Sequence, residues 1–437
     1  MNKQTPLYIK ELIDEITGFP NEYLLYDRLH MNLAYCDRFK TATAVCYVRL
    51  FQLNTELNVL SFLRKQVADR LRTSIRDVDT ACFLSDTDIV ILLTDVTEHE
   101  CTVIVERIIG ALSGTYTYKN NQSTLGTCIG VCIYPYAHSS SEDLIMLAKS
   151  QMYEALELGI NQYKLYQGNV KESAFRKVVI EVDLPHALRD DDFYMEYQPQ
   201  VGLNERKVIG VETLIRWKHP KLGVIGPDEF LPLAEKIGMA NRIFTWVIRQ
   251  VCCNIKDMPD KHDDVFFSIN LSVNQLLMDS FEETVQEIIA EANIGKPNFI
   301  FEITENISIY KREDVKSKLQ FLRNKGYKIA LDDFGNGYFS FSDFVDLPID
   351  HIKLDKRFIT SLMKNNKLTN VIIPIKQMAT NLGFKLVVEG IEGQSQFAEW
   401  RKLDIDVFQG YFFSEPVPFE QLNDVIFKVN REIKNCL

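Results

Sequence analysis

The chain has 437 residues, of which 46% are hydrophobic and 25% charged, and its formal net charge is −11. That length suggests two or three domains with real cores, and that composition excludes a disordered polypeptide. The negative balance argues against wrapping a nucleic-acid polymer, which needs a basic surface, but leaves room for a small anion held through metal ions.

The N-terminus, MNKQTPLYIKELIDE, is no signal peptide, and no apolar run reaches the length of a membrane span. A cytoplasmic location is therefore expected. From Asn21 the segment NEYLLYDRLHMNLAYCDRF carries Leu25, Leu29 and Leu33 on one helical stripe. TATAVCYVRLFQL and DIVILLTDV read as strands, CTVIVERIIGALSG as a helix, and TLGTCIGVCIYP as a third strand. Ser140 and Asp143 form a capping box for the helix LIMLAKSQMYEALELG, with Gly159 as its stop. An α/β domain over residues 1–168 follows, and the polar QGNVKESAFRK reads as the junction to a second domain over 175–437.

The second half repeats apolar strand, acidic or amide residue, then helix. VIGVETLIRW places Glu212 at a strand end, VFFSINLS places Asn270 there, and NFIFEITEN places Glu302. YKIALDDFGNGYFS brings adjacent Asp332 and Asp333, followed by Gly335 and Gly337. HIKLD adds Lys353 and Asp355, FKLVVEGIE adds Glu389, and DVFQGYFF adds Gln409. This alternation predicts a (β/α)8 TIM-like barrel, in which strand ends converge on one mouth. Two adjacent carboxylates repel one another. They are tolerable at such a mouth if one bridges two cations and the next binds only one. Glu212, Asn270, Glu302, Asp332 and Asp333 form an all-oxygen shell, which suits Mg²⁺ or Mn²⁺ rather than zinc. The nine cysteines are scattered without zinc-site spacing and read as buried free thiols. Singly, each of these residues also has a plain reading: Glu212 as a partner of Arg216, Asn270 as a cap, Lys353 as a solvated charge. The whole set, in this order, is not explained that way.

That order resembles the EAL family of cyclic di-GMP phosphodiesterases. The motifs are YQPQV, ETLIRW, PDEFLPLAE, NLS, FEITE, LDDFGNGY, IKLD, VVEGIE and FQGYFFSEP, and they cover essentially all of 175–437. The resemblance implies that Glu212, Asn270, Glu302 and Asp332 bind one metal, that Asp332 and Asp333 hold a second, and that Glu389 lies in the shell. It implies that Lys353 positions the attacking water and that Glu305 pins the loop after Asp333. Gln198, Leu214, Arg216, Asp355, Glu392 and Gln409 take positions around the dinucleotide. Two Mg²⁺ or Mn²⁺ ions, inhibition by Ca²⁺, a linear pGpG product and a homodimer through the barrel of a bacterial cytoplasmic enzyme follow from it. Asn336 and Phe339 depart from the family's usual Thr and Ser, and Phe339, Phe341 and Phe344 offer apolar surface for the dimer. A cyclic di-GMP receptor that does not hydrolyse its ligand is the alternative, but such members usually lack several of the acids.

The first half resembles a GGDEF domain, the diguanylate cyclase fold, through DEITGFPNEYLLYDRL and KSQMYEALELGINQY. Its signature has degenerated to SDTDI, Ser85 to Ile89. Arg49 stands in place of a metal-binding Asp, Thr87 in place of an acid, and Leu156 in place of a lysine. The resemblance therefore implies a non-catalytic, regulatory half in a cyclase-palm-like α/β sandwich, and a bifunctional cyclase is disfavoured. Arg76 and Asp79, five residues ahead of the signature, match the family's inhibitory Arg-x-x-Asp or else form an ordinary turn.

Overall fold

The computed structural model describes residues 12–53, 60–119, 121–135, 140–258, 264–278, 280–294, 298–304, 313–335, 347–364 and 368–436. The chain divides into two compact units, Met1–Val182 and Asp183–Leu437.

The first unit is built on strands β1 (Thr43–Gln52), β2 (Thr80–Phe83), β3 (Asp88–Thr94), β4 (Gly114–Tyr118), β5 (Asn121–Tyr134) and β6 (Tyr163–Leu165). They form one sheet in the order β2-β3-β1-β5-β4, with β6 parallel on β5. Alternate β1 residues Ala44, Cys46, Val48 and Leu50 pack with Leu63, Val67 and Leu71 of helix Leu60–Arg72 and with Ile104 and Ile108 of helix Glu98–Leu112. The alternation is the period of two of a strand. Helix Ser141–Leu158 packs on β5 and β1. A Cβ on Gly130 of β5 would stand 1.9 Å from the Ala148 carbonyl oxygen, so only glycine allows this approach. That helix has the expected capping box, with Ser140 accepting from the Asp143 amide and Asp143 returning the contact. On helix Glu22–Phe39, Leu25 and Leu29 are buried while Leu33 is half-buried, and Cys36 completes the inner stripe. Seven described cysteines are buried free thiols, but Cys253 is exposed, contrary to expectation. The segment read as a junction holds the start of helix Glu172–Ala187, within which the division between the units falls.

The second unit contains β7 (Phe193–Gly202), β8 (Lys207–His219), β9 (Gly223–Ile225), β10 (Phe266–Asn270), β11 (Phe299–Thr304), β12 (Lys328–Phe334), β13 (His351–Leu354), β14 (Lys385–Val388), β15 (Val407–Gln409) and β16 (Val417–Pro418). Eight of them, β7, β8 and β10 to β15, close into a barrel through the β7–β8 pairing. From β8 to β15 successive barrel strands are parallel, but β7 runs antiparallel to both neighbours. The barrel is thus of the expected class with one strand reversed. Glu212 lies inside β8 rather than at its end, because β8 continues to His219 past the mouth and pairs there with β9.

Candidate active site

Inside a barrel strand every second residue faces the lumen. Glu212, Leu214 and Arg216 on β8 therefore share one face, and Thr213 turns outward, donating its hydroxyl to the Ser268 carbonyl at 2.7 Å. Glu212, Leu214, Asn270, Glu302, Asp332 and Asp333 line one cleft of about 590 Å³. A regular strand would send adjacent Asp332 and Asp333 to opposite faces. β12 avoids this with a register shift between Leu331 and Phe334, and Asp333 takes the left-handed conformation at φ 58°. The Asp333 amide donates to Asp332 Oδ1 at 2.9 Å. Gly335 follows at φ 108°, where a Cβ would meet the Phe358 ring at 2.6 Å.

Lys353 is the centre of the site. Its Nζ lies 2.6 Å from Glu302 Oε2, 2.7 Å from Glu389 Oε1, 3.3 Å from Asp332 Oδ1 and 3.8 Å from Glu212 Oε1. The side chain is only 1% exposed. Burial alone would favour the neutral amine, yet the carboxylates of Asp332, Glu212, Glu302 and Glu389 hold its pKa well above the ordinary value. The acids respond the opposite way. Burial, with Glu212 and Asp332 adding repulsion, pushes Glu302 up to about 8. Burial raises Glu389 as well, and burial with the Asp332 and Asp355 carboxylates raises Asp333 to about 6. One ammonium does not neutralise this many acids, so the cluster holds protons or further cations. Among the described residues no three acids, histidines or cysteines are already gathered as a coordination shell; the acids turn toward the lysine instead. Their oxygen-only character and common cleft fit a divalent cation, which would draw them from Lys353.

The residues expected around a dinucleotide are placed as follows. Gln409 Nε2 donates to Glu212 and, at 2.9 Å, to Gln198 Oε1, while Gln198 Nε2 donates to the Ser414 carbonyl at 3.0 Å. Arg216 is paired with Glu196 at 2.9 Å. Asp355 Oδ1 accepts from the Arg357 amide at 2.8 Å and so caps helix Lys356–Lys364. Glu392 pairs with Lys356. Glu305, Asn336, Gly337, Phe339, Phe341 and Phe344 lie outside the described residues. Sequence reasoning missed Gln200, whose Nε2 donates to Gln409 Oε1 at 2.9 Å. Its place two residues from Gln198 on β7 was the available signal.

In the first unit Arg49 is buried. Its guanidinium donates to Asp88 Oδ1 at 2.6 Å, to Tyr153 Oη at 2.8 Å and to Glu181 Oε1 at 2.8 Å. Lys149 lies 3.2 Å from the same Glu181 oxygen. Against the effect of burial, Arg49 and Lys149 hold the Glu181 carboxyl below its ordinary range. Ser85 Oγ accepts from the amides of Thr87 and Asp88, at 3.2 and 3.0 Å, closing the turn between β2 and β3 on itself. Arg76 and Asp79 are likewise locally satisfied. The buried Asp79 carboxylate accepts from the Arg76 and Thr94 amides at 2.8 and 3.1 Å, and Arg76 Nη2 donates to the Thr94 carbonyl at 2.7 Å.

The profile of the EAL domain matches residues 181–416, and that of the GGDEF domain of diguanylate cyclases matches 11–162. The bifunctional diguanylate cyclase/cyclic di-GMP phosphodiesterase MucR of Pseudomonas aeruginosa is 29% identical over 94% of this chain and 61% of its own length. The cyclic di-GMP phosphodiesterase NbdA of the same organism is 27% identical over 94% of this chain and 54% of its own. The chain thus spans little more than half the length of these curated relatives. The solved c-di-GMP complex of the PaMucR phosphodiesterase is 32% identical, covers 56% of this chain and 99% of that one, and superposes with a TM-score of 0.53. The EAL enzyme Bd1971, bound to cAMP and cyclic-di-GMP, shares the fold at 20% identity and a TM-score of 0.55, over 88% of this chain and 95% of its own. With its family match covering the whole barrel and the acids on the barrel's mouth, the chain belongs to the EAL family, carrying a GGDEF domain ahead of it.

Proposed function

We propose that the barrel hydrolyses cyclic di-GMP to linear pGpG with two Mg²⁺ or Mn²⁺ ions, and that the GGDEF half is a non-catalytic regulatory module. The observation that carries this reading is the convergence of Glu212, Asn270, Glu302, Asp332 and Asp333 on one cleft. The relatives' names and the c-di-GMP complex of PaMucR support the substrate. Glu212, Asn270, Glu302, Asp332, Asp333 and Glu389 would hold the ions. When bound, divalent cations acidify water and polarise phosphoryl oxygens. Lys353, fixed by four carboxylates, brings a permanent positive charge to the site, orients the attacking water and stabilises developing negative charge. Gln409 and Gln198 hold Glu212 in place, and Leu214 offers an apolar wall to a base. Arg49 supports the regulatory role of the first half: its guanidinium occupies the position expected to ligate a cation and is committed to Asp88 and Glu181. The same reading includes a homodimer through the barrel, checked by sedimentation.

The test is incubation of the chain with cyclic di-GMP and Mg²⁺ or Mn²⁺, with chromatographic identification of product, beside Glu212→Ala. The wild type should yield pGpG and the variant none, with its fold intact by circular dichroism. Binding without any product in the wild type would identify a receptor instead and overturn the proposal.

A further inference from the structure

Beneath the mouth the barrel interior contains a second, much smaller cavity of about 20 Å³. Gln200, Ser268, Glu302, His351 and Lys353 are among its lining residues. Ser268 precedes Asn270, and His351 precedes Lys353, by one pleat repeat on the same strands. Along those strands they therefore sit roughly 7 Å below Asn270 and Lys353. Three of the lining side chains keep a buried polar atom with no hydrogen-bond partner among the described residues: Ser268 Oγ, Glu302 Oε1 and His351 Nδ1. Unpaired buried polar atoms are costly and rare in native proteins. Three of them line one cavity, so a single partner placed there would satisfy all three. A space above about 10–15 Å³ with two to four polar neighbours is what one buried water needs.

We propose that one ordered water fills this cavity, bonded to Glu302 Oε1, Ser268 Oγ and His351 Nδ1, and that Ser268 and His351 thereby act as positioning residues for the Glu302 carboxylate. The hydrogen-bond roles balance. The water accepts from the serine hydroxyl and donates to the imidazole nitrogen, and its remaining bond to Glu302 Oε1 runs from the water when the carboxyl is ionised and to the water when it is protonated. Burial and the ammonium groups of Lys328, Lys385 and Lys353 push the His351 pKa down to about 3, so the ring is neutral and its nitrogen free to accept. Ser268 is itself fixed, since its carbonyl accepts the Thr213 hydroxyl at 2.7 Å. Glu302 is then held at two points, Oε2 by Lys353 at 2.6 Å and Oε1 by the water, which sets the plane of its carboxylate. Partners of this kind, one bond removed from a metal ligand, typically change metal affinity or activity by about 10–100-fold when lost.

The inference rests on the proposed function only for its second readout. A high-resolution crystal structure of the full chain should show a water within about 3.2 Å of all three atoms. Calorimetric titration of Mn²⁺ should show affinity reduced about tenfold or more in Ser268→Ala and His351→Leu. In both variants kcat on cyclic di-GMP should fall with KM unchanged. His351→Asn, which keeps a polar atom near the Nδ1 position, should recover most of the affinity. A dry cavity in the wild type overturns the proposal, as does wild-type Mn²⁺ affinity in both Ser268→Ala and His351→Leu. If the wild-type chain neither binds Mn²⁺ nor hydrolyses cyclic di-GMP, the functional reading fails while the crystallographic result still decides the water.

Discussion

Replacing Lys353 by methionine keeps the unbranched stem of the side chain and removes the terminal ammonium. The ammonium lies between 2.6 and 3.8 Å from the carboxylates of Glu302, Glu389, Asp332 and Glu212. At an effective dielectric constant of about 20, each contact with an ionised carboxylate contributes roughly 4–6 kcal/mol of attraction. Desolvation offsets most of this, and removing one partner of a buried ion pair costs about 3–5 kcal/mol net. For a unit of this size, 1 kcal/mol moves the thermal midpoint by about 2–4 °C, so Lys353→Met should melt about 10 °C lower in chelator. Excess Mn²⁺ supplies positive charge to the same acids and should restore part of the loss. Turnover should not return, because the charge that in the proposed function orients the water and meets the transition state is gone; the expected fall is about 10²–10³-fold. The assay pairs calorimetric melting, with EDTA and with Mn²⁺, with steady-state hydrolysis of cyclic di-GMP. A midpoint in EDTA equal to that of the wild type, or turnover close to the wild-type rate, would refute the reasoning.

Four further outcomes are expected. Glu302, pushed to about 8 by burial, keeps a proton in the folded metal-free protein that the unfolded chain releases near pH 4.3. Its stability contribution is therefore complete below about pH 4.3 and is lost as pH rises through about 8, so melting in EDTA should fall over that window and Mn²⁺ should reverse the trend; a flat or rising profile in EDTA would contradict this. Arg49→Ala removes the guanidinium shared by the buried Asp88 and Glu181 carboxylates, leaving Lys149 as the cation on Glu181, and urea unfolding should show the first unit weakened by about 3–5 kcal/mol. Neither that variant nor the wild type should form cyclic di-GMP from GTP, as read by chromatography. In Gly410→Ala the new Cβ would stand 2.2 Å from the Ile391 carbonyl oxygen; the forced shift of Gln409 away from Glu212 should cost about 1–3 kcal/mol and lower kcat, measured by melting and hydrolysis.

Strand and helix alternation was legible in the sequence because each element carries its own period of apolar residues, and that is local information. So was the capping box at Ser140, which needs only two side chains three residues apart. The acids of the barrel mouth were legible because each stands in or beside an apolar strand segment, and strands of one barrel share one exit, although Glu212 proves to lie inside β8. The reversal of β7 was not, since the direction of a strand is chosen by the connection and the partner that close the barrel.

The sequence by itself determined which side chains the chain brings: carboxylates and an amide on its strands, one lysine among them, and an arginine where the resemblance implies a cation-binding acid. Only the tertiary structure decided how those groups meet. The shifted register at Asp332 and Asp333 lets two adjacent acids line one cleft, where strand periodicity alone would separate them. Lys353 reads in sequence as a charge at a strand end, yet the barrel buries it between four carboxylates. Arg49 proves to be held by Glu181, 132 residues away in sequence. The physical reason is the same in each case. Periodicity and propensity act between near neighbours along the chain, whereas burial, charge pairing and cavity shape arise from groups that only folding brings together.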